Sequence, residues 1–293
     1  GAAGARAGCQ MTGVTFPKSL WAETAPPRAL APALDADRDA DTVIIGAGFT
    51  GLSAALELAR AGQRVVVLEA MAVGWGASGR NNGQVIPTMT AAEPDAIAAR
   101  YGAAGQRFAR LIGNSASVLF DIARREGILE RAEAEQTGWF QPAHSPGRVR
   151  LSQKRVEAWS RFGFPAEFLD REATSALLGS DFWYGGMLNP TGGHINPLAL
   201  ARALAGAAES HGAVIHEATP VTGWQRDGAG WIVTAQTGRK VRARHLLVCT
   251  NAYTGEIVPR MARRLAHSIV PVLSWQMSTP PLPEALRGTI SPV

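Results

Sequence analysis

Thr42-Val43-Ile44-Ile45-Gly46-Ala47-Gly48-Phe49-Thr50-Gly51 is the stretch that decides the fold. Its first four residues form an apolar and mostly β-branched run, which is typical of a buried parallel strand. The glycines that follow fit the pattern GxGxxG at Gly46, Gly48 and Gly51. The first glycine permits a tight turn, the second lets the backbone approach a pyrophosphate, and the third allows the helix to pack closely on the strand.

The residues after these glycines complete a strand–helix–strand unit. Small and apolar side chains recur at helical spacing over residues 51–60, and Gly62 ends that helix. A second β-branched run over residues 64–68 predicts a strand that ends on Glu69. A carboxylate at this tip can accept hydrogen bonds from ribose hydroxyls. Because all of these features agree, the sequence predicts a dinucleotide site rather than an ordinary glycine turn.

The loop over residues 73–85 bears on which dinucleotide is bound. The glycine pattern suits both NAD and FAD, because both place an ADP moiety on the same turn. An NAD-binding unit usually continues directly into another crossover helix. This loop instead contains four glycines, together with a serine, an arginine and amide side chains. Its backbone donors, hydroxyl and guanidinium suit further phosphate and ring contacts, which favours FAD. An NAD-dependent dehydrogenase remains the alternative.

Five further stretches accompany the glycine pattern. They are residues 68–70 (LEA), 74–84 (GWGASGRNNGQ), 185–188 (GGML), 192–198 (GGHINPL) and 249–255 (CTNAYTG). With these motifs in this order, the chain resembles the FAD-dependent D-amino-acid oxidase-like (DAO) oxidoreductases over residues 16–293. Within that family it is most similar to the gamma-glutamylputrescine oxidoreductases. Asn82 is a departure, because glycine is expected at that position.

The resemblance implies an α/β fold in two interleaved parts. A Rossmann-like FAD-binding domain, with a GxGxxG βαβ unit and a β-meander, is expected over residues 41–90 and 190–265. An α+β substrate domain is expected over residues 91–189 and 266–293. Relatives in the family are longer, so this domain is expected to be incomplete at the C-terminus. Residues 1–40 lack periodicity and are expected to form a partly disordered leader along the surface.

The resemblance also implies which residues contact the cofactor. FAD is expected to be non-covalent, because no cysteine lies in the loop after the second strand. The predicted contacts come from both glycine-rich loops, the tip of the second strand, the meander and the end of the returning strand. They are Gly46, Gly48, Phe49, Thr50, Gly51, Glu69, Ala70, Ala77, Ser78, Gly79, Arg80, Asn81, Gly83, Gln84, Val221, Thr250, Asn251 and Ala252.

The activity that the resemblance implies is oxidation of an amine C–N bond. A hydride passes from the carbon that bears the amine to the flavin, and oxygen reoxidises the flavin to give hydrogen peroxide. The expected partners are a gamma-glutamylputrescine-like or amino-acid-like amine and oxygen. A non-catalytic FAD-binding fragment is a second alternative. No catalytic residue is assigned, because deprotonation of the substrate can precede binding. His194 is more simply interpreted as a loop residue satisfied by backbone groups than as a catalytic base.

The rest of the chain shows further periodicity. Helices are predicted over residues 92–126, which form one or two, over 153–162 and over 198–210, and short strands over 138–140 and 271–277. The meander strands are predicted around residues 221–225, 231–235 and 241–249, after a parallel strand at 212–216. Asp170 and Asn196 are predicted helix N-caps. Four aromatic residues are candidates for a substrate pocket, although such residues more often belong to the core: Trp75, Trp139, Trp183 and Tyr184.

Composition and charge restrict the function classes. The net charge of +5 comes from 29 basic and 24 acidic residues, and the arginines are scattered along the chain. Residues 239–244 alternate as the solvent face of a strand would, so nucleic-acid binding is not expected. No apolar run is long enough to predict a transmembrane helix. Cys9 and Cys249 are far apart and predict neither a disulfide nor a zinc site, so a cytoplasmic location is expected.

Overall fold

The β-branched run before the glycine pattern forms the centre of a six-stranded sheet in the computed structural model. The strands are β1 (Arg38–Ile45), β2 (Val65–Leu68), β8 (Val214–His216), β9 (Val221–Asp227), β10 (Gly230–Ala235) and β11 (Lys240–Val248). Their order is β8-β2-β1-β11-β10-β9, in which the first four are parallel and β9 to β11 form an antiparallel meander. The predicted parallel sheet and meander are therefore confirmed.

The structure describes residues 14–89, 92–257, 267–268, 272 and 274–290. Contacts divide the chain into two units. The first unit comprises residues 1–82 and 196–275, and the second comprises residues 83–195 and 276–293. The first thirteen residues of the predicted leader lie outside the described part. Among the described helices, none combines the length and the apolar character that crossing a membrane requires.

Four of the described α-helices belong to the first unit. They are α1 (Leu20–Thr24), α2 (Phe49–Arg60), α6 (Pro197–Ser210) and α7 (Thr254–Ile257). The N-cap prediction for α6 is confirmed, because the Asn196 side chain accepts a hydrogen bond from the N–H of Ala199 at 3.1 Å. Helix α6 is rich in alanine and packs against α2. Small side chains on both helices allow this close approach.

The N-terminal segment over residues 14–37 is packed rather than loose. Leu34 is 1% exposed and joins the core cluster of the sheet. Ser19 caps α1 by accepting a hydrogen bond from the N–H of Ala22, and Trp21 packs against Leu198 of α6. Residues 14–37 of the predicted leader therefore pack on the first unit, and the partly disordered character of the leader over residues 1–40 stays a prediction. Its apolar anchors are irregularly spaced, so no periodic pattern reveals them.

A buried carboxylate ties this segment to the first unit. The side chain of Glu217 is 2% exposed and accepts hydrogen bonds from the guanidinium of Arg28, from Ala31 N–H at 2.7 Å and from Val73 N–H at 2.6 Å. Arg28 also pairs with Glu209 at 2.7 Å. Because a buried carboxylate needs compensating donors, these contacts hold three distant parts of the chain together.

Replacement of Arg28 with methionine is expected to lower the free energy of unfolding by about 2 kcal/mol. The change leaves the Glu217 carboxylate with only its backbone donors. Urea denaturation measures the effect, and the double variant Arg28→Met with Glu217→Gln should recover part of it. A loss below about 0.5 kcal/mol in the single variant would contradict the role of this ion pair.

In its described residues, the second unit contains two small antiparallel sheets and four α-helices. Its strands are β3 (Gln84–Val85), β4 (Trp139–Pro142), β5 (Glu167–Leu169), β6 (Gly186–Asn189) and β7 (Gly193–His194). Its helices are α3 (Pro94–Arg125), α4 (Pro146–Arg161), α5 (Arg171–Leu178) and α8 (Glu284–Arg287). Strands β3 and β7 pair with each other, and the other three form a sheet in the order β4-β6-β5.

The helix limits in the second unit follow from their caps. Helix α3 is interrupted at Gly102, whose backbone is not helical, in agreement with the prediction of one or two helices over residues 92–126. The N-cap prediction for Asp170 is confirmed. Helix α4 begins earlier than predicted, because Ser145 caps it and Pro146 occupies its first turn.

The strand predicted over residues 271–277 is not present in the described part of that stretch. Pro271 and Leu273 lie outside the described residues, and the remaining residues have no strand assignment. Trp275 is 90% exposed. A strand is stable only when a neighbouring strand satisfies its N–H and C=O groups, and no described strand pairs with these residues.

Candidate dinucleotide-binding site

The turn between β1 and α2 requires glycine at two positions. Gly46 has a φ of +103°, a value that side chains disfavour, and an added Cβ there would lie 2.9 Å from the carbonyl oxygen of Cys249. A Cβ on Gly51 would lie 2.0 Å from the carbonyl oxygen of Gly46. Helix α2 therefore starts in direct contact with the end of β1, as the glycine pattern predicts.

The N-terminus of α2 faces the second glycine-rich loop. Gly48 is the N-cap residue and supplies no side-chain cap. The hydroxyl of Ser78 accepts a hydrogen bond from Phe49 N–H at 3.0 Å, and a Cβ on Gly48 would lie 2.8 Å from that hydroxyl. The N–H groups and the positive end of the helix dipole suit a phosphate, and the missing side chain at Gly48 leaves room for it.

Glu69 lies at the tip of β2, beside the same turn. One carboxylate oxygen accepts a hydrogen bond from Ala47 N–H at 2.7 Å, and the other accepts one from Met71 N–H at 2.9 Å. A carboxylate has about four acceptor positions, so it can also accept ribose hydroxyls. Burial is the main cause that raises the pKa of Glu69 above its usual value, and the charge of Glu217 adds to it.

The raised pKa of Glu69 gives a pH prediction. The folded chain holds the proton of the Glu69 carboxyl group more tightly than the unfolded chain does. The contribution of Glu69 to stability therefore falls as the pH rises above 4.5, the ordinary pKa of a glutamate side chain. As the pH rises, we expect the free energy of unfolding of the wild type to fall relative to that of Glu69→Gln. Urea denaturation of both proteins from about pH 4 to pH 8 measures the difference.

The same substitution is expected to weaken ADP binding about tenfold, because a charged acceptor for the ribose is lost. Glu167→Gln, at an exposed position on β5, is the matched control. It should change neither the pH dependence of stability nor the affinity for ADP. A stability difference that stays constant or grows in favour of the wild type as pH rises would contradict the burial argument.

The second glycine-rich loop packs on α6. Residues Ala77–Gly79 form one 3-10 turn. A Cβ on Gly79 would lie 2.1 Å from the carbonyl oxygen of Gly74 and 2.9 Å from Cδ1 of Leu198. Asn81 donates from its side-chain amide to the carbonyl oxygen of Ser78 at 3.0 Å. The loop is therefore a compact structure fixed by its own glycines and by α6.

Arg80 projects from this loop into an aromatic cluster. Its guanidinium lies 5.1 Å from the ring centroid of Trp75 and donates a hydrogen bond to the hydroxyl of Tyr253 at 3.0 Å. Trp75 and Tyr253 lie 6.5 Å apart, measured between ring centroids. The cation–π contact and the hydrogen bond hold the positive charge of Arg80 at the edge of the loop.

The returning strand brings predicted residues to the same edge of the sheet. Cys249 donates its N–H to the carbonyl oxygen of Ile45 at 2.8 Å, so residues 250–252 follow directly beside the glycine turn. Asn251 has a φ of +44°, and the hydroxyl of Thr250 is bonded to that of Thr254 at 2.7 Å. Burial raises the pKa of the Cys249 thiol, which forms no disulfide.

The chain before β9 passes the tip of β2. Thr219 donates its N–H to the carbonyl oxygen of Glu69 at 2.8 Å, and Val221 follows as a buried residue at the start of β9. Ala70 is next to Glu69 and partly buried. Most of the predicted cofactor contacts therefore belong to the first unit, and those of both glycine-rich loops, β2 and β11 are linked by hydrogen bonds or close backbone approach.

Other predicted residues belong to the second unit. Gly83 precedes β3, and Gln84 accepts a hydrogen bond from the indole N–H of Trp139 at 3.1 Å. His194 lies in β7 rather than in a loop, and its N–H donates to the carbonyl oxygen of Glu135 at 2.9 Å. Within the described residues, no group of acidic, histidine or cysteine side chains is arranged to hold a metal ion.

The four aromatic pocket candidates are divided between the two units. Trp75 belongs to the first unit, whereas Trp139, Trp183 and Tyr184 belong to the second. Tyr184 is 42% exposed, and the guanidinium of Arg171 lies 5.3 Å from its ring centroid. Trp183 packs edge to face on Phe182. Their role in a substrate pocket stays a prediction.

A glycine turn at the carboxyl end of β1, an open helix N-terminus and an acidic residue at the tip of β2 define the first unit as a Rossmann-like dinucleotide-binding fold. The chain matches the family of FAD dependent oxidoreductases (DAO) over residues 41–293 and belongs to it. FAD is the cofactor of this family, so the expectation of FAD is confirmed and an NAD-dependent dehydrogenase is not supported.

Two proteins that are similar to this chain in sequence are named as oxidoreductases. The chain is 36% identical over 232 residues to gamma-glutamylputrescine oxidoreductase of Escherichia coli, an alignment that covers 76% of this chain and 52% of that protein. It is 33% identical over 281 residues to the probable oxidoreductase OrdL of Rhizobium meliloti, covering 93% of this chain and 63% of the relative. The chain thus spans between about half and two thirds of these relatives.

Solved structures show the same fold. Glycine oxidase from Geobacillus kaustophilus aligns with a TM-score of 0.63 at 22% identity, covering 75% of this chain and 57% of that one. L-Amino acid deaminase from Proteus myxofaciens aligns with a TM-score of 0.65 at 20% identity. This alignment covers 79% of this chain and 49% of that one. At these identities the likeness establishes the α/β architecture and says nothing of the substrate.

Proposed function

We propose that this chain is the FAD-binding framework of an amine oxidoreductase. Its substrate would be a gamma-glutamylputrescine-like or amino-acid-like amine whose C–N bond is oxidised. The observation that carries the proposal is the hydrogen bond between Phe49 N–H and the Ser78 hydroxyl, which joins the two glycine-rich loops into one cradle. The name of the relative from Escherichia coli supports the choice of amine.

The residues of the first unit would hold the ADP half of the cofactor. The N–H groups at the start of α2 would bind the pyrophosphate, and Glu69 would accept the ribose hydroxyls. Val221 would contact the adenine through its backbone. FAD supplies the hydride acceptor when it is bound, and the protein supplies orientation and electrostatics.

The second glycine-rich loop would extend the site toward the flavin ring. Its backbone donors over residues 77–81 and the positive charge of Arg80 suit the second phosphate and the polar edge of the ring. Thr250, Asn251 and Ala252 would close the site from the end of β11. We assign no catalytic base, since the ammonium form of the substrate can lose its proton in solution and bind as the neutral amine.

The second unit would contribute the substrate domain. Its antiparallel sheet β4-β6-β5 and its long helices α3 and α4 support this assignment, because an α+β substrate domain is expected. The amine would be a small molecule, oxygen would reoxidise the cofactor with release of peroxide, and FAD would be held without a covalent bond.

An anaerobic titration with amines tests this function. The purified chain is loaded with FAD, and its flavin absorbance is followed during addition of gamma-glutamylputrescine, putrescine, glycine, proline or sarcosine. We expect gamma-glutamylputrescine or an amino acid to bleach the flavin band, and air to restore it with release of peroxide. Acid precipitation of the protein should release all of the flavin into solution, because FAD would be held without a covalent bond.

The same titration separates the alternatives. A chain that binds FAD in a defined stoichiometric complex but is bleached by none of these amines would contradict the proposal and support a non-catalytic FAD-binding fragment. Dithionite serves as the control, because it should bleach the bound flavin whatever the substrate is. Failure to bind FAD at all would contradict the assigned cofactor site.

A further inference from the structure

The N-terminal strap, defined as residues 14–37, contacts the second glycine-rich loop through two indole groups. Trp21 on α1 donates its ring N–H to the carbonyl oxygen of Asn81 at 2.8 Å. Trp75 in the loop donates its ring N–H to the carbonyl oxygen of Thr15 at 3.0 Å. One bond runs from the strap to the loop and the other from the loop to the strap, so each end of the loop is fixed to the same segment.

The strap is itself anchored on α6. Trp21 and Phe16 pack against a buried cluster that includes Leu198. The guanidinium of Arg202 donates to the carbonyl oxygen of Pro26 at 2.7 Å and lies 5.3 Å from the ring centroid of Phe16. The side-chain amide of Asn196 donates to the hydroxyl of Thr24 at 3.2 Å. The strap is therefore a rigid support rather than a loose tail.

The loop that the strap holds is the one that meets the start of α2. Ser78 accepts the Phe49 N–H, and Asn81 closes back on Ser78 through its side-chain amide. The indole of Trp21 bonds the carbonyl group of that same Asn81. A displacement of Asn81 would therefore be passed first to Ser78 and to the other residues of this loop.

We propose that Trp21 is a positioning residue for FAD, which acts by clamping the loop over residues 74–82 through the carbonyl group of Asn81. The inference rests on the proposed function only in so far as this loop contacts FAD. The clamp should matter for FAD, which reaches beyond the ADP half, and not for ADP, which needs only the first glycine turn and Glu69.

Trp21→Phe tests the clamp, because it keeps an aromatic ring and removes the N–H donor. We expect FAD affinity to fall about fivefold, the effect of one lost hydrogen bond, while ADP affinity changes less than about twofold. Trp231→Phe, the same substitution on β10 away from the loop, is the matched control and should change neither affinity.

Hydrogen exchange of the ligand-free chain gives a readout that needs neither FAD nor turnover. We expect the amides of residues 76–82 to exchange at least about threefold faster in Trp21→Phe, and the amides of β1 and β2 to be unchanged. Unchanged exchange in the loop would overturn the clamp. Equal weakening of FAD and ADP binding, together with faster exchange throughout the first unit, would overturn it in favour of a general structural role.

These readouts keep the two proposals separate. A lack of amine oxidation leaves the affinity and exchange results interpretable, since none of them depends on substrate. Conversely, an active enzyme whose Trp21→Phe variant binds FAD normally and keeps its loop protected would retain the proposed function and lose the clamp.

Discussion

Replacement of Gly48 with valine is expected to lower FAD affinity by at least about 100-fold and to leave the fold intact. The backbone at Gly48 has a φ of −87°, which valine adopts readily, so the substitution introduces no backbone strain. A Cβ at this position would lie 2.8 Å from the hydroxyl of Ser78, and the added methyl groups would fill the approach to the start of α2.

The size of this effect follows from the contacts that are lost. A pyrophosphate kept away from α2 loses several hydrogen bonds to an ionised group, each of which contributes about 1.5–3 kcal/mol. Two such bonds correspond to a factor of about 100 or more in affinity. The variant should also lose ADP binding, because the blocked contact belongs to the part that ADP and FAD share.

Isothermal titration with FAD and with ADP measures the effect, and thermal unfolding checks the fold. Gly223→Val is the matched control, since nothing lies within 4 Å of a Cβ on Gly223 and valine suits its position in β9. An FAD affinity within about tenfold of the wild type in Gly48→Val would show that the pyrophosphate does not bind at this turn.

Replacement of Gly51 with alanine is expected to lower the free energy of unfolding by about 4 kcal/mol. The new Cβ would lie 2.0 Å from the carbonyl oxygen of Gly46 and 3.3 Å from Cγ2 of Ile44. The nearest contact is with backbone, so no side-chain rotation relieves it. Helix α2 must move away from β1, which disturbs the most buried part of the sheet.

Urea denaturation measures this loss, with Gly147→Ala as the control. Gly147 lies in the first turn of α4, and nothing lies within 4 Å of a Cβ there. Because alanine favours the helical backbone, Gly147→Ala should be neutral or stabilising by up to about 1 kcal/mol. Similar stabilities for the two variants would contradict the close packing of α2 on β1.

Much of the first unit could be predicted from local patterns. The β-branched runs before Gly46 and before Glu69 give strands at the expected positions, and the spacing of the glycines gives the turn. The caps Asp170 and Asn196 were also recognisable, because a capping side chain acts on a backbone N–H three residues away. Interactions of this kind depend on neighbours in sequence.

Other features depended on residues far apart in the chain. The start of α4 and the packing of residues 14–37 were missed, and the strand predicted near Trp275 was not found among the described residues. A strand prediction fails when no neighbouring strand is available, whatever the local propensity. A segment without periodicity can still be ordered when scattered anchors such as Leu34 and Trp21 find partners.

The sequence by itself determined the strand–glycine turn–helix–strand unit, its acidic tip at Glu69 and the resemblance to an FAD-dependent family. These depend on residue types at short, fixed spacings, which the backbone geometry of a βαβ unit imposes directly. Only the tertiary structure decided that Ser78 accepts the Phe49 N–H and that Trp21 holds Asn81. Both bonds join residues that lie far apart along the chain, and packing on α6 and β1 brings them within hydrogen-bonding distance.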